Sequence, residues 1–118
     1  MGPAIKDLKA YVPARDFEMS KRFYLALGFR MTPGWGKTCD FELDGNQFRL
    51  QNYYVKEWAQ NFMIMMGVHD VDAWYTKAGQ VLAEGDFGPA RIQPPEAVGD
   101  SRVLHVWDPS GILLILVQ

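Results

Sequence analysis

Cysteine is nearly missing from this chain. Cys39 stands alone among 118 residues, so no disulfide can close within it and a reducing compartment is the expectation. Histidine is scarce too: His69 and His105 are the only two, and neither sits in a His-x-x-x-His pattern or beside carboxylates spaced for a metal. No apolar run approaches the ~20 residues of a membrane span. The residues after Met1 have no signal-peptide core, and Met1-Gly2 is a poor lipidation site because Pro3 follows the glycine and Lys6 replaces the required Ser or Thr. Neither sign of charge dominates, and a net −2 gives no electrostatic reason for a nucleic-acid or membrane partner. These absences point to a cytoplasmic protein. What is present, 48% hydrophobic and 22% charged residues, suits one folded domain over residues 1–118 with a real core.

The chain has the same grammar twice. Leu8, Ala10 and Val12 alternate with Lys9, Tyr11 and Pro13 as a strand. Asp16 then caps a helix carrying Phe17, Phe23, Tyr24 and Leu27 at helical spacing, with Gly28 as its stop. Strands are expected over 30–35, 38–43 and 47–54. After a short polar linker at 55–60, a strand over 61–68 leads to Asp70, which caps a helix bearing Val71, Trp74 and Tyr75 and ending near Gly79. Further strands are expected over 81–83, 90–92 and 102–107, with 112–117 closing the sheet. Gly88, Pro89, Pro94, Pro95 and Gly99 break any period in between, so the strand count there is open by one. The last two strands flank the turn Asp108-Pro109-Ser110-Gly111, and the final one, Ile-Leu-Leu-Ile-Leu-Val, is apolar on both faces.

Register narrows the first half. Cys39, Phe41 and Leu43 share one parity, and Phe48 and Leu50 share another. A hairpin loop of even length, such as Gly45-Asn46, puts all of them on one face. Asp40, Glu42, Arg49 and Gln51 then share the opposite face, where Glu42 and Arg49 are candidates to pair.

Three stretches, from Val12-Pro13-Ala14-Arg15-Asp16 to Leu27-Gly28-Phe29, then Val68-His69-Asp70-Val71-Asp72-Ala73-Trp74-Tyr75, then Val106-Trp107-Asp108-Pro109-Ser110-Gly111, occur in this order along nearly the whole chain. In this they resemble the vicinal oxygen chelate superfamily of glyoxalases, extradiol dioxygenases, fosfomycin-modifying enzymes and bleomycin-resistance proteins. The resemblance implies an α+β fold in which two βαβββ modules, about 1–54 and 61–118, form a curled mixed sheet enclosing a cleft, with helices on the outer face. It also implies four inward ligand positions for a divalent metal. Carried over, these fall at Lys9, at Arg49 or Gln51, at Met63 and at Ile115. A cationic amine, a thioether and an aliphatic side chain are not the donors of such a site. No metal and no other cofactor is expected.

The comparison then narrows to the bleomycin-resistance type, which binds and does not catalyse. By strand parity Lys9, Tyr11, Met63, Met65 and Ile115 face the cleft, joined by Asp40, Glu42, Arg49, Gln51 and Tyr53, with Trp35 and Trp107 as stacking surfaces. The expected ligand is a small flat aromatic or cationic molecule such as an antibiotic. Each residue also has a plain structural role open to it. Met63 and Met65 suit a core or a dimer interface, Trp35 an anchored loop, Trp107 packing on the turn, and Trp58 a subunit contact; His69, His105 and Cys39 read as ordinary loop, strand and core residues. The alternative is a glyoxalase- or dioxygenase-like enzyme with an atypical or absent metal site, in which Lys9, Glu42 or His105 acts as acid or base. A third reading is a degenerate module used in protein assembly. A homodimer, possibly exchanging modules, is expected because two doubly apolar strands exceed what two short helices cover.

Overall fold

Asp16 and Asp70 begin the two main helices as the sequence predicts. Their carboxylates accept from the backbone N–H of Met19 and Ala73, at 3.1 and 3.0 Å, which satisfies a donor the helix itself leaves free. The protein is described by a computed structural model over residues 2–118. In it β1 (Tyr11–Pro13), α1 (Phe17–Leu27), β2 (Arg30–Pro33), β3 (Thr38–Leu43) and β4 (Asn46–Gln51) form the first module. α2 (Lys56–Gln60) leads to β5 (Met63–Gly67), α3 (Val71–Glu84), β6 (Arg91–Ile92), β7 (Glu96–Val98), β8 (Ser101–Trp107) and β9 (Leu113–Val117). No helix among the described residues is long and apolar enough to cross a membrane.

The expected α+β architecture of two βαβββ modules is present. Sheet one runs β1-β4-β3-β2 and sheet two runs β5-β9-β8-β6, with β7 also on β8. In both, the first strand lies parallel to the last. β6 and β7 act as one outer strand broken at Pro94-Pro95, where the missing N–H groups interrupt the ladder. The sheets are not closed into one around a cleft: no strand of either pairs with a strand of the other among the described residues.

Several boundaries differ from the sequence reading, for physical reasons. Residues 81–83 are helical, not a strand: α3 runs through Gly79 to Glu84 because Val71, Ala78 and Val81 continue one buried stripe. The linker at 55–60 contains α2, whose Ala59 is fully buried. The first strand is only Tyr11–Pro13, and Leu8 before it is 79% exposed. Gly28 does end α1, at φ 112°, a conformation side chains avoid.

The β3–β4 loop is Asp44-Gly45, with both residues at positive φ (53° and 83°), one residue earlier than Gly45-Asn46 but of the same even length. Phe41 therefore stands opposite Phe48 and Cys39 opposite Leu50, all buried. Arg49 stands opposite Asp40 and Glu42 opposite Gln47, so the expected Glu42–Arg49 pair does not form.

One continuous core joins Phe23 and Tyr24 of α1, Val71 and Ala78 of α3, Phe41, Phe48 and Leu50 of sheet one, and Leu104, Leu114 and Leu116 of sheet two. Tyr24 sits at its centre, 4.8 Å from Phe48 and 5.4 Å from Phe23 between ring centres. Its hydroxyl donates to Asp108 Oδ2 at 2.6 Å, while Asp108 Oδ1 accepts from the N–H groups of Ser110 and Ile112 at 2.8 and 3.0 Å. Ser110 Oγ in turn accepts from Arg15 N at 2.9 Å and lies 3.3 Å from Ser20 Oγ. The turn of the second module is thus bolted to the helix of the first.

Two predictions follow from this bolt. Asp108→Ala leaves three buried donors without an acceptor and should cost about 3 kcal/mol or more in urea unfolding, against about 1–2 kcal/mol for Tyr24→Phe. Burial pushes the Asp108 carboxyl up to about 6, against its hydrogen bonds from Tyr24, Ile112 and Ser110. Its folded value lies above the 3.8 of the free side chain, so the native state holds this proton more tightly. Stability should therefore fall as pH rises from about 4 to about 6, by about 3 kcal/mol at ~1.4 kcal/mol per pH unit. Asp108→Asn should flatten that slope in pH-dependent urea melts; an unchanged slope would show that other groups set it.

Candidate functional site

The face of each sheet opposite the core is where the sequence predicts the site, and the two faces differ in chemistry. On sheet one, Tyr11, Arg49, Asp40 and Thr32 form a row across four strands. Arg49 holds Asp40 in a two-pronged ion pair, Nε to Oδ1 at 2.6 Å and Nη2 to Oδ2 at 2.9 Å. Lys9 Nζ adds a contact at 3.8 Å to Asp40 and a hydrogen bond at 3.3 Å to Asp7. Tyr11 Oη lies 3.4 Å from Arg49 Nη1. The bonds from Arg49 hold the Asp40 carboxyl below its ordinary range, and Asp40 raises the Arg49 guanidinium in return. In the next row Glu42 accepts from Gly45 N and pairs with Arg30, which together lower its carboxyl. Asp40 and Glu42 thus already have cationic partners from the chain itself.

The corresponding face of sheet two is apolar and aromatic. Its rows run Met65, Ile115, His105 and Met63, Leu113, Trp107, Arg91. Met63 and Met65 are 63% and 67% exposed, whereas Leu113, Ile115, His105 and Trp107 are half-buried. The His105 and Trp107 rings lie nearly parallel, 5.9 Å apart at 28°. Arg91 lies over the Trp107 ring at 3.6 Å. Sequence reasoning missed Arg91 because the prolines and glycines of 85–100 hide its parity, and only pairing with β8 puts it beside Trp107.

The twelve sequence-predicted residues fall into separate groups. Lys9, Tyr11, Asp40 and Arg49 are tied together on sheet one, with Glu42 and Gln51 beside them. Met63, Met65, Ile115 and Trp107 share sheet two. Trp35, 80% exposed, projects from the β2–β3 loop, where its carbonyl accepts from Thr38 Oγ1. Tyr53, 56% exposed, contacts the ring of Trp58 at 6.5 Å, and Trp58 contacts Phe62 at 6.2 Å. No hydrogen bond, ion pair or ring contact joins the two sheet faces among the described residues. A cavity of about 880 Å³ does open between the modules, walled by Phe29, Phe48, Ile64, Met66 and Trp74, but Met65 alone of the twelve reaches it.

The donor set does not fit a divalent metal. Lys9 is engaged with Asp7 and Asp40, Arg49 with Asp40, Met63 and Ile115 offer a thioether and a hydrocarbon, and the one amide oxygen of Gln51 does not make a site. Among the described residues no three His, Cys, Asp or Glu side chains converge. Cys39 is buried, which pushes its thiol up, away from the reactive thiolate.

No protein-family model matches this chain, and no curated protein matches it. Solved structures do. The bleomycin resistance determinant encoded on transposon Tn5 is 24% identical, with a TM-score of 0.80, over 97% of this chain and 98% of that one. The bleomycin-binding protein from Streptomyces verticillus, solved with copper(II)-bleomycin, is 19% identical at a TM-score of 0.75, over 96% and 97%. Fosfomycin resistance protein FosX from Mesorhizobium loti is 14% identical at 0.72, over 98% and 93%. End to end, then, the chain has the vicinal oxygen chelate fold that these bleomycin- and fosfomycin-resistance proteins share.

Proposed function

We propose that this protein binds a small flat aromatic molecule and sequesters it, in the manner of bleomycin-resistance proteins, without catalysis and without metal. The observation that carries the reading is the second face of sheet two: Met63, Met65, Leu113, Ile115, His105 and Trp107 form an apolar and aromatic surface, with Arg91 lying over its Trp107 end. Such a surface suits planar ligands, and methionine adapts to imprecise shapes. A cationic ligand is less favoured than the sequence implied, because Asp40 and Glu42 are already paired with Arg49 and Arg30.

The reading includes a homodimer in which the sheet-one face of one protomer meets the sheet-two face of its partner, bringing Lys9, Tyr11, Asp40, Arg49, Gln51, Tyr53 and Trp35 to the ligand. It is supported by free sheet edges, β1 and β5 among them, and by exposed Ile5, Leu8, Met63 and Met65, a load of apolar surface that single chains rarely leave in water. A cytoplasmic location goes with the reading, since the one cysteine is free.

Sedimentation at micromolar concentration should give twice the 13.4 kDa chain mass; a single-chain mass would remove the dimer. In a thermal-shift screen, planar aromatic drugs should raise the unfolding midpoint, by an amount equivalent to ~2.7 kcal/mol at a hundredfold excess over Kd. Nickel, zinc, manganese and iron should not; a clear shift with any of them would favour the enzyme reading. Trp35→Ala should reduce the drug-induced shift severalfold, each shift being read from that variant's own unliganded midpoint.

A further inference from the structure

Resting on that reading, we infer that the ligand carries an acidic group beside its ring, a carboxylate or its chemical equivalent, and that Arg91 receives it. Arg91 lies with its guanidinium over the Trp107 ring at 3.6 Å. A guanidinium stacked through its face keeps its in-plane N–H donors directed outward, in the fork that matches a carboxylate. Arg30, Arg49 and Arg102 each have a carboxylate partner, in Glu42, Asp40 and Asp72. Arg91 makes no ion pair and no side-chain hydrogen bond among the described residues. It is a cation on the sheet-two face that no described residue neutralises.

The surroundings complete the argument. Arg91, Trp107, Leu113 and Met63 form one row across four strands, so an apolar floor begins where the guanidinium ends. A ring lying on Leu113 and Ile115 would carry its substituent against Arg91. Two acidic groups come near the face. Asp108, next to Trp107, is buried and consumed by Tyr24, Ser110 and Ile112. Glu96 stands opposite Val103, ~13 Å along β8 from Trp107 at ~3.3 Å per residue, beyond direct contact with Arg91. The backbone around Arg91 is held as well: Ala90 N bonds Phe87 O and Gln93 N bonds His105 O, both at 3.1 Å. The backbone that carries the side chain is therefore fixed before binding, which lowers the entropy lost there.

Isothermal titration calorimetry with three probes of one shape tests this: naphthalene-2-carboxylate, naphthalene-2-carboxamide and naphthalen-2-ylmethylammonium. The carboxylate should bind about tenfold or more tightly than the other two, the effect of a charge-assisted hydrogen bond. Arg91→Gln should abolish that advantage while leaving the carboxamide unchanged, and Trp107→Leu should weaken both. Lys77→Gln, an equal charge change on exposed α3, should alter none of them. Equal binding of all three probes, or carboxylate binding indifferent to Arg91→Gln, would overturn the acidic-ligand inference and leave the flat-aromatic reading standing. Probe binding that weakens as protein concentration rises would also overturn it, since a second copy would then occupy the face. If none of the three binds saturably at millimolar concentration, both readings fall together.

Discussion

Everything in this fold hangs on one buried carboxylate. Asp108 organises its own turn through Ser110 and Ile112 and, through Tyr24, ties that turn to a helix from the other end of the chain. A buried acid is costly unless its oxygens are fully used, and here both are. The residues joined are 84 apart in sequence, so this contact closes a long loop and makes one core out of two modules. Ser20, Ser110 and the Arg15 backbone extend the same link along α1. Because the link seats α1 beside α3 and behind both sheets, it determines which face of each sheet is turned away from the core.

Those remaining faces have divided the chemistry between them. Sheet one carries charges that cancel locally, Arg49 against Asp40 and Arg30 against Glu42. Sheet two carries apolar and aromatic side chains, with the Arg91 guanidinium over Trp107. At the positions where the family resemblance implies metal donors, this chain has a lysine, an arginine or a glutamine, a methionine and an isoleucine. On the proposed reading, binding energy on such a surface would come from contact area and from a few placed polar groups.

Much of this was legible in the sequence because it is local. Caps at Asp16 and Asp70 and the stop at Gly28 are one-turn effects read from residue type. Register in the first hairpin followed from parity, since any odd loop would have split Phe41 from Phe48. Reading failed where local signals were weak or misleading. Gly79 looks like a stop, yet packing of Ala78 and Val81 carries α3 past it. The break at Pro94-Pro95 hid the fact that β6 and β7 share one neighbour. Arg49 chose Asp40 over Glu42 because the loop begins one residue earlier than assumed.

The sequence alone therefore determined the module order, the capped helices and the faces of the strands, all set by residue chemistry and short-range geometry. Tertiary structure decided the rest: that Tyr24 reaches Asp108, that the two sheets remain separate, and that Arg91 lies on Trp107. Each of these depends on which distant strands and helices become neighbours, and spacing along the chain carries no information about that until the core has formed.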